Sequence, residues 1–129
     1  MAPTDPIAAY GAAWLETDPQ RRLALLETAW ADGAVYCDPV AVVAGREALS
    51  EHIAGTQAQL AGGSIAVTSE PVRHHDSAFF RWSMTDPSGG VVLTGWDVVQ
   101  LDAEDRITRL TGFFDDDTAP QRPSTSTPS

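Results

Sequence analysis

Val91-Val92-Leu93-Thr94-Gly95-Trp96-Asp97-Val98-Val99-Gln100-Leu101 is rich in β-branched residues and bounded by turn formers on both sides, the pattern of one long β-strand. Ahead of it, Asp86-Pro87-Ser88-Gly89-Gly90 is a strong hairpin signal, and Asp102 to Asp105 reads as the turn that follows. The neighbouring runs, Ala78 to Thr85 and Arg106 to Phe114, are therefore expected to be strands paired to it. Further back, Ile65-Ala66-Val67-Thr68 follows Gly62-Gly63 and starts the strand-like half, with a turn at His75-Asp76. Successive strands without helices between them form a meander and exclude a parallel doubly wound sheet.

The N-terminal half has helical periodicity instead. Ile7, Tyr10, Ala13 and Trp14 recur at three- and four-residue spacing, with Thr4 or Asp5 as cap and Pro6 near the first turn. Asp18-Pro19 restarts a helix through about Ala31, with Leu23, Leu26 and Trp30 on one face and Asp32-Gly33 as its stop. A short strand, Ala34 to Asp38, ends at Pro39, and a third helix runs from about Arg46 to Leu60 with Leu49, Ile53 and Leu60 as its buried stripe. Three helices, a short strand and a meander predict an α+β fold. Its strongly curved, mostly antiparallel sheet is covered by helices on one face, leaving a cone whose open end can hold a small apolar ligand.

A length of 129 residues predicts one domain, placed at residues 1–114, followed by a disordered acidic, Pro/Ser/Thr-rich tail at 115–129. Arginine is the only strong base in the chain, and the formal net charge of −10 makes nucleic acid and anionic membrane poor partners. The N-terminus lacks the basic and apolar segments of a secretory signal, no apolar run is long enough to span a bilayer, and the lone Cys37 cannot close an intramolecular disulfide. The expected location is the cytoplasm.

The informative residues are acids in positions that otherwise read as buried. Side chains alternate along a strand, so Asp97 shares a face with Leu93, Gly95, Val99 and Leu101 and interrupts an apolar row. A buried carboxylate without partners is costly, so such a group takes up a proton or finds donors. Asp38 ends its strand, where a carboxylate reaches a cleft yet stays partly hydrated, as a proton-accepting base needs. Tyr10 lies on the apolar side of the first helix, where its phenol requires a partner.

With Tyr36-x-Asp38-Pro39, Gly45-Arg46-Glu47-Ala48-Leu49 and Gly95-x-Asp97, the chain resembles the superfamily of nuclear transport factor 2, ketosteroid isomerase and polyketide-cyclase-like proteins over residues 5–114. The resemblance implies a cone-shaped α+β barrel with an internal ligand pocket, paired as a homodimer through the outer sheet face. Among these proteins the motifs are most similar to those of ketosteroid isomerase. That likeness implies Tyr10 and a protonated Asp97 as donors to an enolate oxygen and Asp38 as the proton shuttle, without metal or organic cofactor. The implied reaction is proton transfer, as an isomerase or cyclase, beside a carbonyl of a hydrophobic small molecule, polycyclic compounds included. Limonene epoxide hydrolases resemble this layout but need an Asp-Arg-Asp set; Arg81 is present, while Ser83 and Gly112 stand where the acids belong. A dehydratase constellation would draw on Tyr36, His52 and Asp38, without a diagnostic spacing. The rival reading from another class is a binding module of the same fold, in which the acids only orient a ligand or keep shape.

Trp14, Tyr36, His52, Trp82, Phe113 and Phe114 are the expected ligand contacts; parity leaves open which of the last two faces inward. Trp96, opposite in parity to Asp97, is assigned to the outer, subunit-pairing face. His74-His75-Asp76 reads as a solvated turn and not as a metal site.

Overall fold

The computed structural model describes residues 3–115; residues 116–129, which hold nearly all of the expected tail, lie outside it. Helix α1 spans Pro6–Leu15 and α2 Pro19–Ala29. Both start the same way. Asp5 accepts from the Ala8 backbone N–H (3.0 Å) and Asp18 from that of Arg21 (2.9 Å), each with proline in the first turn, so an orphan amide is satisfied where proline lacks one. Helix α3, Arg46–Leu60, buries Leu49 and Ile53 completely, while Leu60 is half-buried. No helix among the described residues is long and apolar enough to cross a membrane.

Seven strands make one sheet: β1 Trp30–Asp38, β2 Ala41–Ala44, β3 Ser64–Val67, β4 Val72–His74, β5 Ser77–Thr85, β6 Val91–Leu101 and β7 Ile107–Phe114. Their order is β2-β1-β7-β6-β5-β3, with β4 also paired to β5. All pairs are antiparallel except β1 with β7. The sheet curls strongly around the helices into a half-barrel, the α+β architecture expected from the sequence. Phe80, Trp82, Val99, Leu101, Ile107 and Leu110 face inward and meet Ile7, Tyr10, Leu26, Leu49 and Ile53 from the helices.

The structure corrects three boundaries. Asp32-Gly33 does not stop α2, which ends at Ala29; β1 begins at once with Trp30 and passes through both residues. They form an irregularity between Trp30 and Val35 in the pairing to β7, with Gly33 at φ +76°, so their turn chemistry serves a bulge inside the strand. Strand β2 was not anticipated. Asp38 Oδ1 accepts from the backbone N–H of Val40 and Ala41 (2.9 Å each), and this Asx turn across Pro39 reverses the chain into a hairpin. The strand region after Gly62-Gly63 divides into β3 and β4 around Pro71, which has no N–H to donate.

Arg22 was not recognised as a core residue, yet it is 2% exposed. Its guanidinium donates to the carbonyls of Glu16 (3.1 Å), Thr17 (3.3 Å) and Ser50 (3.4 Å), to Ser50 Oγ (3.2 Å) and to Gln57 Oε1 (3.0 Å). Gln57 in turn donates to the carbonyls of Trp14 (3.0 Å) and Glu16 (3.1 Å). The corner between α1 and α2 is thereby tied to α3 by polar bonds in a dry place. Arg22→Met should orphan these acceptors and lower unfolding free energy by about 2–4 kcal/mol, read as a lower urea midpoint at unchanged slope.

Candidate active site

Strand order builds the site. β7 lies between β1 and β6, so Asp38 at the end of β1 and Asp97 in the middle of β6 approach from opposite sides. Asp97 pairs with Gly112 across β6 and β7, and the Cys37–Thr111 pairing brings Asp38 alongside the same glycine. A β-carbon on Gly112 would lie 3.0 Å from Asp97 Oδ1 and 3.3 Å from Asp38 Cβ. Any larger residue would press on both acids, so the missing side chain is what lets the two carboxyl groups face one hollow. Nearby, Gly95 opposes Trp82, and a β-carbon there would stand 2.5 Å from the indole. The space opened by Gly95 is filled by Trp82, which thereby reaches the cavity wall.

The cavity encloses about 150 Å³. Tyr10, Trp14, Tyr36, Asp38, His52, Trp82, Asp97 and Phe114 all line it, so eight of the nine site residues expected from sequence share one hollow. The ninth, Phe113, does not: it is 51% exposed and pairs with Trp96 on the outer face. The pairing of Gly112 with Asp97 settles the choice, because Phe114 lies two residues from Gly112 and shares its inward face. Gly112, Val40, Thr56, Ile65 and Met84 complete much of the lining and were missed. Only Gly112 carried a signal, a glycine inside a strand flanked at alternate positions by Leu110 and Phe114.

Tyr10 and Asp97 form the floor, at 2% and 6% exposure. The Tyr10 ring stacks on Trp30 at 5.8 Å and leans on Phe80 at 6.2 Å, which fixes the phenol. Burial, and next the negative charge of Asp97, hold its pKa well above the ordinary tyrosine value, against a hydrogen bond from Trp14. Asp97 is pushed up to about 8, chiefly by burial and then by the charge of Asp38, with a hydrogen bond from Trp82 acting the other way. At neutral pH this carboxyl keeps its proton and can donate it. Tyr36 donates to Asp38 Oδ2 at 2.5 Å, so with the two backbone amides on Oδ1 three donors orient the Asp38 carboxylate. Burial and the adjacent Asp38 raise the Tyr36 phenol, so both tyrosines are hydrogen-bond donors. His52 packs between Tyr36 (5.1 Å) and Trp14 (5.9 Å) and enters the wall of the pocket.

Other singled-out residues lie elsewhere. His74 and His75 are exposed at the turn between β4 and β5. Cys37 is free and half-buried, opposite in strand parity to Tyr36 and Asp38. Trp96 lies beneath the Arg81 guanidinium, 4.4 Å above its ring, with Phe79 at 5.4 Å. Asp115 accepts from Arg81 (2.8 Å) and Thr94, which docks the end of the described chain on the sheet.

The SnoaL-like domain family matches residues 7–110. The chain belongs to the SnoaL-like family. A solved structure from Agrobacterium tumefaciens, provisionally assigned as an isomerase of that family, superimposes on this SnoaL-like protein with a TM-score of 0.79 at 33% identity, covering 85% of this chain and 94% of that one. A protein of cystatin-like fold from Methylobium petroleophilum matches at TM-score 0.71 and 19% identity over 91% and 76% of the two chains. A Sinorhizobium meliloti protein provisionally assigned as a polyketide cyclase matches at 0.64 and 20% over 84% and 93%; these last two likenesses show the fold. No curated protein matches the sequence of this SnoaL-like chain.

Because the folded protein holds a proton on Asp97 that the unfolded chain releases near the ordinary carboxylate value, the group contributes stability that is complete at low pH. That contribution declines as pH rises from about 4 through about 8. Asp97→Asn removes the titration, so the wild type should lose stability relative to this variant across that window in urea unfolding. A gap that stays constant with pH would show that Asp97 is ionised in the fold.

Proposed function

We propose that this SnoaL-like protein catalyses cofactor-free proton transfer at the carbon beside a carbonyl, in the manner of ketosteroid isomerase, on a hydrophobic small molecule. The observation that carries the reading is the convergence of Tyr10, Asp38 and Asp97 on one cavity with the two acids flanking Gly112. The same arrangement separates their tasks. Asp38 lies at the half-exposed end of its strand, and Asp97 is buried with its proton.

In the reaction Asp38 accepts the α-hydrogen as a proton. The C–H electron pair forms the C=C bond of an enolate, and the carbonyl π pair moves onto oxygen. Tyr10 and Asp97 donate to that oxygen, preplaced donors in a site from which water is largely excluded. Asp38 then returns the proton either to the same carbon, which regenerates the ketone, or to another carbon along the conjugated system, which gives isomerisation with no net gain or loss of atoms. In a cyclase the enolate carbon instead attacks a second carbonyl carbon of the same molecule, the π pair of that carbonyl moves onto its oxygen, and the proton held by Asp38 is delivered there. The provisional isomerase assignment of the Agrobacterium neighbour agrees with this reading.

A carrier of the same fold would bind without moving protons. Deuterium exchange at the α-carbons of a panel of ketones separates the two readings. The wild type should accelerate exchange, and Asp38→Asn should lower the rate by about 10²–10⁴-fold while leaving the fold and binding of a phenol intact. Unchanged exchange in Asp38→Asn would reject the base, and no exchange by the wild type would leave the carrier.

We further propose that two copies pair through the outer sheet face. Phe79, Val98 and Phe113 are 39%, 38% and 51% exposed there around Trp96, an apolar patch of the kind that marks an interface. Sedimentation should give twice the 13.8 kDa chain mass, and Phe113→Glu should return it to the monomer; a monomeric wild type would reject the pairing.

A further inference from the structure

We infer that the ligand taken by this cavity is an uncharged molecule with one six-membered ring and one carbonyl, the oxygen directed at Tyr10 and Asp97. The orientation rests on the proton-transfer reading above; size and charge rest on the cavity. The sequence reading admitted polycyclic compounds, and the enclosed space argues for a smaller one. Cavities near 150 Å³ take a single benzene ring, whereas drug-sized ligands fill about 300–1,000 Å³. This one encloses about 150 Å³.

Its walls do not yield easily. Trp14, Tyr36 and His52 brace one another at 6.3, 5.1 and 5.9 Å, and Trp82 meets Phe114 edge-on at 5.8 Å. Trp82 is also pressed against the Gly95 backbone. Widening the hollow means moving several close-packed rings together. The most exposed lining residues are Val40 and Gln59, which place the mouth opposite the buried floor. With the oxygen held at the floor, a second fused ring does not fit within this volume unless these packed rings move apart.

Charge narrows the class further. The titratable groups facing the ligand are Tyr10 from α1, Tyr36 and Asp38 from β1, His52 from α3 and Asp97 from β6. Among the described residues, neither arginine nor lysine lines the cavity. A ligand carboxylate or phosphate would enter a poorly solvated space beside Asp38 without a permanent cation to pair with, and is disfavoured. The flat aromatic walls suit the faces and edges of a planar ring.

The test is equilibrium binding of phenols of matched acidity, which mimic the enolate, to the wild-type protein at pH 7. Phenol should bind about tenfold or more tightly than 2-naphthol, although the larger apolar surface of the naphthol by itself favours the opposite order. 4-Hydroxybenzoate, one ring with an added carboxylate, should be weakened likewise. His52→Ala opens one wall and should shrink the gap between phenol and 2-naphthol several-fold. Naphthol bound as tightly as phenol, 4-hydroxybenzoate bound as tightly as phenol, or a gap unmoved by His52→Ala would overturn the inference. Binding needs no proton transfer, so the two proposals fail separately. A one-ring preference without α-hydrogen exchange supports the ligand class and rejects the reaction; exchange with naphthol preferred does the reverse.

Discussion

Two carboxyl groups set on either side of a strand position that has no side chain oppose each other's charge, and burial adds to that cost for the deeper one. Asp97 resolves the conflict by keeping its proton, and Asp38 by lying nearer solvent with three donors around it. Nearly everything else about the site follows from that division. In the proposed reaction a neutral Asp97 and the buried phenol of Tyr10 supply the two donors and Asp38 the proton acceptor, and the cavity that all three line has to keep water away from them.

Keeping water away is the work of the helices. α1 brings Tyr10 and Trp14 over the concave face of the sheet, and α3 brings His52 and Thr56. Neither helix is held by apolar contact alone. Arg22 donates to the Glu16 and Thr17 carbonyls at the turn between α1 and α2 and to the Ser50 carbonyl of α3, and Gln57 of α3 donates back to the Trp14 and Glu16 carbonyls, so α1 and α3 share one polar network. Such a network is costly to form in a dry setting and costly to break once formed. It therefore favours one relative placement of the helices, and with it one shape of cavity.

Much of the fold was legible because its signals are local. Proline after aspartate marked both early helices, alternation marked β6, and the Asp86–Gly90 run marked a hairpin. The misread elements were those in which a local signal served a longer-range need. Asp32-Gly33 has the composition of a helix stop, but pairing of β1 with β7 draws Trp30 into a strand and leaves the glycine to bend it. Ala41–Ala44 carries no strand signal of its own, because a short edge strand exists only through its partner. Nothing near Arg22 in sequence announces the acceptors that bury it.

The site divides in the same way. Residue type and strand parity alone singled out Tyr10, Asp38 and Asp97, since an acid in an apolar row and a phenol on an apolar helix face each demand a partner wherever the chain goes. What no local pattern contains is who that partner is. Only the pairing of β7 between β1 and β6 set Gly112 between the acids, turned Phe114 inward and Phe113 outward, and drew the aromatic walls around a cavity of about 150 Å³. Periodicity is a property of neighbours along the chain, whereas distance across a curved sheet is a property of every pairing in it at once.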